Sequence, residues 1–498
     1  MRPRGLQLIV CAAAVLVVLA EHPAARQAPQ AFPVGQLTGS IVSRANPNQH
    51  YAVYVPSSYR ANRPVPVLFI MDYRGRARVA AEVFRPAAEK YGWILMSSND
   101  TASDQSPEPS LAALKAMWAD AHDLFAVDPR RLYLAGLSGT ARAATWIANQ
   151  VKGTVAGVIG ASAGFSPDLE PSRNLSFLYF GTAGDADYNY WEMRSLERRL
   201  TELDVPHRME YFAGTHGWMP SSLAMTALRW MELRAMKAGV RSVDPVLVED
   251  AWWQGLQEVE ALREAGRSAA ASRRLMAMVR DFSGLRSDEH MATIFRLSLE
   301  VSSEPWLPSV VASEAAAAAS HKARIEAAMA TIARAFPPGA SLAIESANAT
   351  LDRLGVPQLL ALAGGRDQAA ALDARRILSE LDVQTGFYLP SAALQDGQAA
   401  RAAFYLDLAK TINPDDPYAW YLRASVSARA GRTDEALELL SRAVTLGFRT
   451  LHAIETDRAF DPLRGHKDFE ALVIRIRASW DATERLASDI VLLGPAGQ

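Results

Sequence analysis

The sequence has almost no cysteine, since Cys11 is the only one among 498 residues and lies in an apolar stretch near the N-terminus. A disulfide framework and thiol chemistry are therefore excluded for the chain that follows it. A charge excess is also lacking, with 52 basic and 54 acidic side chains, so no broad field directs the protein to nucleic acid or anionic lipid. Glycine-rich phosphate loops, zinc-ligand spacings and basic aromatic stretches do not stand out either. We expect a partner that is neutral or recognised locally.

The N-terminus has the pattern of an export signal. Arg2 and Arg4 precede an unbroken apolar run from Leu8 to Ala20, which ends in small residues before Glu21. This run is shorter than the roughly 20 apolar residues of a transmembrane helix, so an uncleaved anchor is the less favoured interpretation. The pattern predicts a signal peptide at 1–20, a periplasmic or secreted protein, and no integral membrane segment after cleavage.

Residues 35–240 alternate short β-rich runs with stretches of helical periodicity, which predicts an α/β domain with a mostly parallel sheet and helices on both faces. The predicted strands are 50–55, 65–71, 93–97, 131–136, 155–161, 177–180 and 208–212. The predicted helices between and after them are 77–91, 110–125, 139–151, 190–203 and 220–238.

After Asp244 the composition turns to alanine, leucine, arginine and glutamate, which predicts an all-helical half. We assign 245–385 to a helical region and 390–480 to repeats. Within the second range, Pro417–Phe448 resembles a tetratricopeptide repeat, with Gly431 at the turn. Such repeats are commonly interaction surfaces, so this half is a candidate site for a protein or peptide partner.

One segment of the α/β half points to chemistry. A predicted strand at 131–136 runs directly into a predicted helix at 139–151, with Ser138 at the turn. This is the context of a nucleophile elbow, where neighbours must be small because the turn is tight. Gly136 and Gly139 meet that requirement, whereas Thr140 departs from the last glycine of G-x-S-x-G. A serine that only caps the helix is the competing interpretation.

The partners of a serine nucleophile follow in the expected chain order of serine, acid and histidine. His216 lies in a glycine-flanked loop after the predicted strand at 208–212. The loop after the strand at 177–180 holds two aspartates, Asp187 and Asp185. We favour Asp187 as the acid that orients the histidine, because it lies closer to the following helix, and keep Asp185 as the alternative.

A tetrahedral intermediate also needs backbone N–H donors for its oxyanion. Gly139 supplies the donor that follows the nucleophile. The second donor is expected from the loop after the strand at 65–71, where Tyr73 and Arg74 are the candidates. Arg74 and Arg76 are candidates to contact an anionic substrate group, and a solvated surface role is an equal alternative.

These motifs, together with Tyr51–Tyr59 and the Gly214–Trp218 segment, resemble the α/β-hydrolase superfamily, in particular its esterase, polyhydroxybutyrate-depolymerase-like and feruloyl-esterase-like branch. The resemblance covers about two fifths of the chain. It implies hydrolysis of small-molecule or polymer esters through an acyl-enzyme on Ser138, without metal or organic cofactor. Two alternatives stay open: a peptidase on the same scaffold, and an inactive hydrolase-like platform whose repeats bind a partner.

Four aromatic residues lie near the proposed acid and base in the sequence: Tyr188, Tyr190, Trp191 and Trp218. Two interpretations of them stay open: they line a pocket for the substrate, or they pack under loops.

Overall fold

The computed structural model describes residues 32–103, 108–303, 305 and 307–477. The predicted signal peptide at 1–20 and the end of the predicted 390–480 region lie outside these ranges. The first of two compact units holds the described residues up to Gly184 and Asn189–Ala316, and the second holds Asp185–Tyr188 and the described residues from Ala317 onward. Among the described residues, every helix is too short or too polar to span a bilayer.

The first unit is built on an eight-stranded sheet in the order β1-β2-β4-β3-β5-β6-β7-β8. Its strands are β1 (Leu37–Val42), β2 (His50–Tyr54), β3 (Val65–Met71), β4 (Ile94–Ser98), β5 (Val127–Leu137), β6 (Gly157–Ala161), β7 (Leu178–Gly184) and β8 (His207–Phe212). The pairs of β2 with β1 and with β4 are antiparallel, and every other pair is parallel. The carboxyl ends of β5, β7 and β8 therefore share one edge.

Both faces of the sheet are covered by helices, which explains why β3 is a continuous apolar run rather than an alternating one. Phe69 and Met71 contribute to one core and Ile70 to the other. The first core is completed by α2 (Glu108–Leu124), α3 (Gly139–Gln150) and α4 (Tyr190–Glu202), and the second by α1 (Ala77–Tyr91) and α5 (Ser221–Lys237). The predicted fold class, a mostly parallel sheet of the α/β-hydrolase kind followed by a helical region, is confirmed.

The seven predicted strands are all present, but β1 is an additional strand at the edge. Its sequence interrupts the apolar pattern with Thr38 and Gly39, and its pairing with β2 shifts register between Thr38 and Ile41. Ser40 has a φ of 50° within it. A short, bulged edge strand of this kind has too little β-rich pattern to be predicted.

Three further helices belong to the first unit: α6 (Pro245–Glu264), α7 (Ser268–Phe282) and α8 (Asp288–Ser302). Asp244 caps α6 by accepting the N–H of Leu247 at 3.2 Å. These helices share a hydrophobic cluster with Leu233 and Met236 at the end of α5. The predicted boundary at 240–245 thus falls between helices that contribute to one core.

The second unit begins within α9 (Leu307–Ala335), and its described residues from 317 onward form helices joined by loops, with no strand among them. Its further α-helices include α10 (Ala347–Arg353), α11 (Val356–Ala363), α12 (Gln368–Val383), α13 (Leu389–Gln395), α14 (Ala399–Ile412), α15 (Pro417–Arg429), α16 (Thr433–Thr445) and α17 (Leu451–Thr456). A π-helix (Gln384–Tyr388) joins α12 to α13, and a 3-10 helix (Arg458–Leu463) follows α17. Helices α15 and α16 form the predicted helix-turn-helix, with Gly431 at a φ of 72° in the turn and Ala424, Ala436 and Leu440 fully buried. Their assignment to the tetratricopeptide class stays a prediction.

Candidate active site

Ser138 occupies the sharp turn between β5 and α3 that the sequence predicts. Its backbone has a φ of 59° and a ψ of −127°, which is a strained conformation for a residue with a side chain. Gly136 is required by the same turn, because a Cβ there would lie 2.4 Å from the carbonyl oxygen of Thr140. The segment therefore has the backbone geometry of a nucleophile elbow.

Thr140, which replaces the usual last glycine of the motif, has a defined role in this turn. Its buried hydroxyl donates to the carbonyl oxygen of Met71 at 2.6 Å and accepts the N–H of Leu137 at 3.0 Å. Met71 is the last residue of β3. The threonine thus ties the elbow to the loop that leaves β3, a bond that glycine could not make.

The loop after β3 is organised by Asp72, which is fully buried. Its Oδ1 atom accepts the backbone N–H groups of Arg74 at 2.9 Å and Arg76 at 3.3 Å. Gly75 completes the turn with a φ of 63°, and a Cβ there would lie 2.1 Å from the carbonyl oxygen of Asn99. The backbone of this loop is consequently held in one conformation.

Arg76 is neutralised within the loop. Its Nε and Nη2 atoms donate to the two oxygens of Asp72 at 2.9 and 2.8 Å. Burial alone would lower the pKa of Arg76, yet the hydrogen bond and charge of Asp72 outweigh burial and raise that pKa. Because its charge is already paired, Arg76 is poorly suited to the role of anion contact that the sequence left open.

The loop after β8, which carries the half-buried His216, is held at its next two residues. Ser162 Oγ donates to the carbonyl oxygen of Gly217 at 2.9 Å and accepts its N–H at 3.1 Å. Trp218 Nε1 donates to Asp72 Oδ2 at 2.8 Å. Neither Ser162 nor Asp72 was singled out from the sequence, because both act on a loop that is distant along the chain.

The end of β7 approaches the same loop. A Cβ at Gly184 would lie 2.4 Å from the carbonyl oxygen of Gly214 and 2.5 Å from that of Thr215. The two backbone segments are therefore in close contact at Gly184, where only glycine fits. Ser162 also contributes here, because its carbonyl oxygen accepts Asn189 Nδ2 at 2.7 Å. Ser162 therefore contacts both the histidine loop and the residue that precedes α4.

The two candidate acids follow β7 directly and differ in burial. Asp187 is fully buried, whereas Asp185 is half-buried. Arg376 Nε, in the same compact unit, donates to the backbone carbonyl oxygen of Asp185 at 2.6 Å. Burial of a carboxylate requires compensating interactions, which makes Asp187 the more constrained of the pair.

The aromatic residues near the candidate acid and base take part in packing. Tyr190 contacts Trp191 and Tyr211 with ring centroids 5.0 and 5.3 Å apart. Trp218 meets the ring of Phe84 edge-on at 5.6 Å. These contacts account for three of the four aromatic side chains named from the sequence without invoking a ligand.

No protein-family model and no curated protein sequence matches this chain. The solved structures similar to it include an S-formylglutathione hydrolase from Staphylococcus aureus, at 13% identity, 41% coverage of this chain, 99% coverage of that one and a TM-score of 0.32. An esterase from Pyrobaculum calidifontis has 14% identity, coverages of 46% and 92%, and a TM-score of 0.33. A ferulic acid esterase has 15% identity, coverages of 39% and 97%, and a TM-score of 0.33. Because these identities and TM-scores are low, the function proposed below depends on the strand order of the sheet and on the turn at Ser138.

Proposed function

We propose that this protein is a serine hydrolase that cleaves carboxylic esters through an acyl-enzyme on Ser138. The observation that carries the proposal is the positive φ of Ser138 at the carboxyl edge of the sheet. A residue that only caps a helix has extended backbone and a capping side chain. Ser138 has neither, since its φ is 59° and its side chain makes no capping hydrogen bond. Strain of this kind, worth about 1–3 kcal/mol, is typical of functional sites.

The other roles follow from chain order and position. His216 follows β8 and takes the proton of Ser138 during attack on the ester carbonyl, then returns it to the leaving alcohol. Asp187 follows β7 and holds the imidazole in the required tautomer. Its full burial favours it over the half-buried Asp185, because a buried carboxylate stabilises an imidazolium more strongly than a solvated one does.

The contacts of the loop after β3 reduce the number of candidate backbone donors to the oxyanion. Gly139 is the first residue of α3, where backbone N–H groups have no intrahelical partner. The Arg74 N–H already donates to Asp72, which favours Tyr73 as the second donor. The guanidinium Cζ atoms of Arg74 and Arg76 lie 4.9 and 5.1 Å from the Tyr73 ring centroid, and these contacts restrict the side chain of Tyr73. We therefore assign the oxyanion site to the N–H groups of Gly139 and Tyr73.

The decisive experiment compares the purified wild type with Ser138→Ala on aryl esters of graded acyl length. Ser40→Ala is the matched control, since Ser40 is another serine at positive φ, 50°, on the edge strand. We expect esterase activity in the wild type and in Ser40→Ala and none in Ser138→Ala. A serine-directed fluorophosphonate should label the first two proteins only. Full activity in Ser138→Ala would refute the proposal.

The same proteins test the alternatives. Peptide p-nitroanilides hydrolysed faster than every ester would favour the peptidase interpretation. A folded wild type that neither turns over esters nor reacts with fluorophosphonate would favour the inactive platform. Export is proposed from the N-terminal pattern, and N-terminal sequencing of protein from the periplasm or medium should begin at Glu21.

A further inference from the structure

The side chain of Trp218 links two loops of the proposed active site. Its Nε1 atom donates to Asp72 Oδ2 at 2.8 Å, although the two residues are 146 positions apart. Its ring packs edge-on against Phe84, which is fully buried in α1. The indole is therefore anchored by a polar and an apolar contact, and it lies two residues from His216.

The other carboxylate oxygen of Asp72, Oδ1, binds the backbone of the loop that follows β3. Oδ1 accepts the N–H groups of Arg74 and Arg76, the residues that flank Gly75. The backbone carbonyl oxygen of Asp72 accepts the hydroxyl of Thr101 at 2.7 Å. One buried carboxylate thus fixes the turn that presents Tyr73 and also binds the loop that carries His216.

We propose, on the basis of the function proposed above, that Asp72 and Trp218 are positioning residues that set the distance between the base and the oxyanion site. The base must reach the nucleophile while the Tyr73 N–H faces the developing oxyanion, so the two loops have to be held in a fixed relation. Oriented donors act without reorganisation during the reaction. A displacement of about 1 Å can cost about 100-fold in rate.

The first unit contains a second tryptophan–aspartate hydrogen bond, which serves as a control for the bond between Trp218 and Asp72. Trp230 Nε1 donates to Asp281 Oδ1, also at 2.8 Å, and this indole is fully buried. Trp230 lies on α5 and none of the proposed catalytic residues neighbours it in sequence. A phenylalanine at either position keeps an aromatic ring and removes only the N–H donor, so the pair separates positioning from stability.

The test is steady-state kinetics on the best aryl ester for the wild type, Trp218→Phe and Trp230→Phe. We expect kcat of Trp218→Phe to fall by about tenfold or more while KM changes by less than about threefold. The rate of fluorophosphonate labelling should fall in parallel. Trp230→Phe should lose thermal stability and keep its kcat. A kcat within twofold of wild type in Trp218→Phe, or an equal loss in both variants, would overturn the proposal.

A double-mutant cycle isolates the bond itself. In Asp72→Asn we expect the one amide oxygen at the Oδ1 position, where three N–H groups donate. The amide NH2 then faces the indole N–H, so this variant already breaks the link. Adding Trp218→Phe should then reduce kcat by less than about twofold, whereas independent effects would multiply. If Asp72→Asn does not fold, the two tryptophan variants still decide the matter. A wild type that fluorophosphonate does not label would overturn the proposed function and this inference together, whereas labelling with an unaffected Trp218→Phe overturns the inference alone.

Discussion

Ser162 Oγ and the backbone of Gly217 bond each other in both directions, with the hydroxyl donating to the carbonyl oxygen and accepting the N–H. Ser162 follows β6, and Gly217 is the residue after His216. The serine is fully buried and has a φ of 56°. Because the Ser162 hydroxyl both donates to and accepts from the backbone of Gly217, it holds the loop that carries His216 in place.

Removing this hydroxyl should impair the proposed catalysis. In Ser162→Ala and Ser162→Gly, the N–H and carbonyl of the half-buried Gly217 both lose their partner, which removes two bonds that hold the histidine loop. We expect both variants to lose kcat to a similar degree. Thermal unfolding should show Ser162→Gly as the more stable of the two, because glycine adopts a φ of 56° without strain. Wild-type kcat in Ser162→Gly would contradict a supporting role.

A second prediction concerns Thr140: restoring the usual motif glycine at this position should make the protein less stable. Thr140→Gly restores G-x-S-x-G but removes the bonds to Met71 and Leu137. We expect Thr140→Gly and Thr140→Val to lower the free energy of unfolding by about 1–3 kcal/mol. Thr140→Ser keeps the hydroxyl and should stay close to wild type in denaturant titrations. Equal stability of the serine and valine variants would show that the hydroxyl contributes nothing.

The strain at Ser138 makes a third prediction that does not depend on any substrate. Ser138→Ala and Ser138→Gly both lack the hydroxyl and should both be inactive. Glycine relieves the positive φ, so Ser138→Gly should be more stable than Ser138→Ala by about 1 kcal/mol. Calorimetry of the two variants measures this difference. A less stable glycine variant would mean that the turn stores no strain at this residue.

Much of the α/β half could be predicted because its strands are continuous β-rich runs bounded by turn residues. β3 begins and ends at the predicted residues, 65 and 71, and α1 covers the predicted 77–91. The sharp turn at Ser138 could be predicted because its signal is local: a strand, two small neighbours and a helix.

The contacts that hold the loops of the proposed site could not be predicted, because they depend on how the sheet brings distant loops together. The Ser162 and Gly217 contact spans 55 positions and the Asp72 and Trp218 contact spans 146. No periodicity or motif relates the members of either pair. The role of Thr140 was hidden for the same reason, since its main partner is Met71, at the end of a different strand.

A fourth prediction concerns the second unit and its dependence on pH. Asp382, near the end of α12, accepts Asn413 Nδ2 at 2.7 Å through Oδ2, while its buried Oδ1 has no hydrogen-bond partner within the described part of the chain. Burial, followed by the charge of Asp416, raises the pKa of Asp382 to about 7 from the ordinary value of 3.8. Asp416 is itself committed to capping α15 through the N–H of Tyr418 at 2.9 Å.

The sign of the effect follows from proton binding. Between about pH 4 and pH 7 the folded protein holds a proton on Asp382 that the unfolded chain has released, so the free energy of unfolding falls as the pH rises through this window. Asp382→Asn mimics the protonated form and should be more stable than wild type above pH 7, with the difference vanishing toward pH 4. Thermal unfolding from pH 4 to 9 measures this, with the exposed Asp396→Asn of the same unit as control. Parallel curves for wild type and Asp382→Asn would mean that Asp382 ionises equally in the folded and unfolded states, and that the neighbouring Asp416 imposes no cost on the fold.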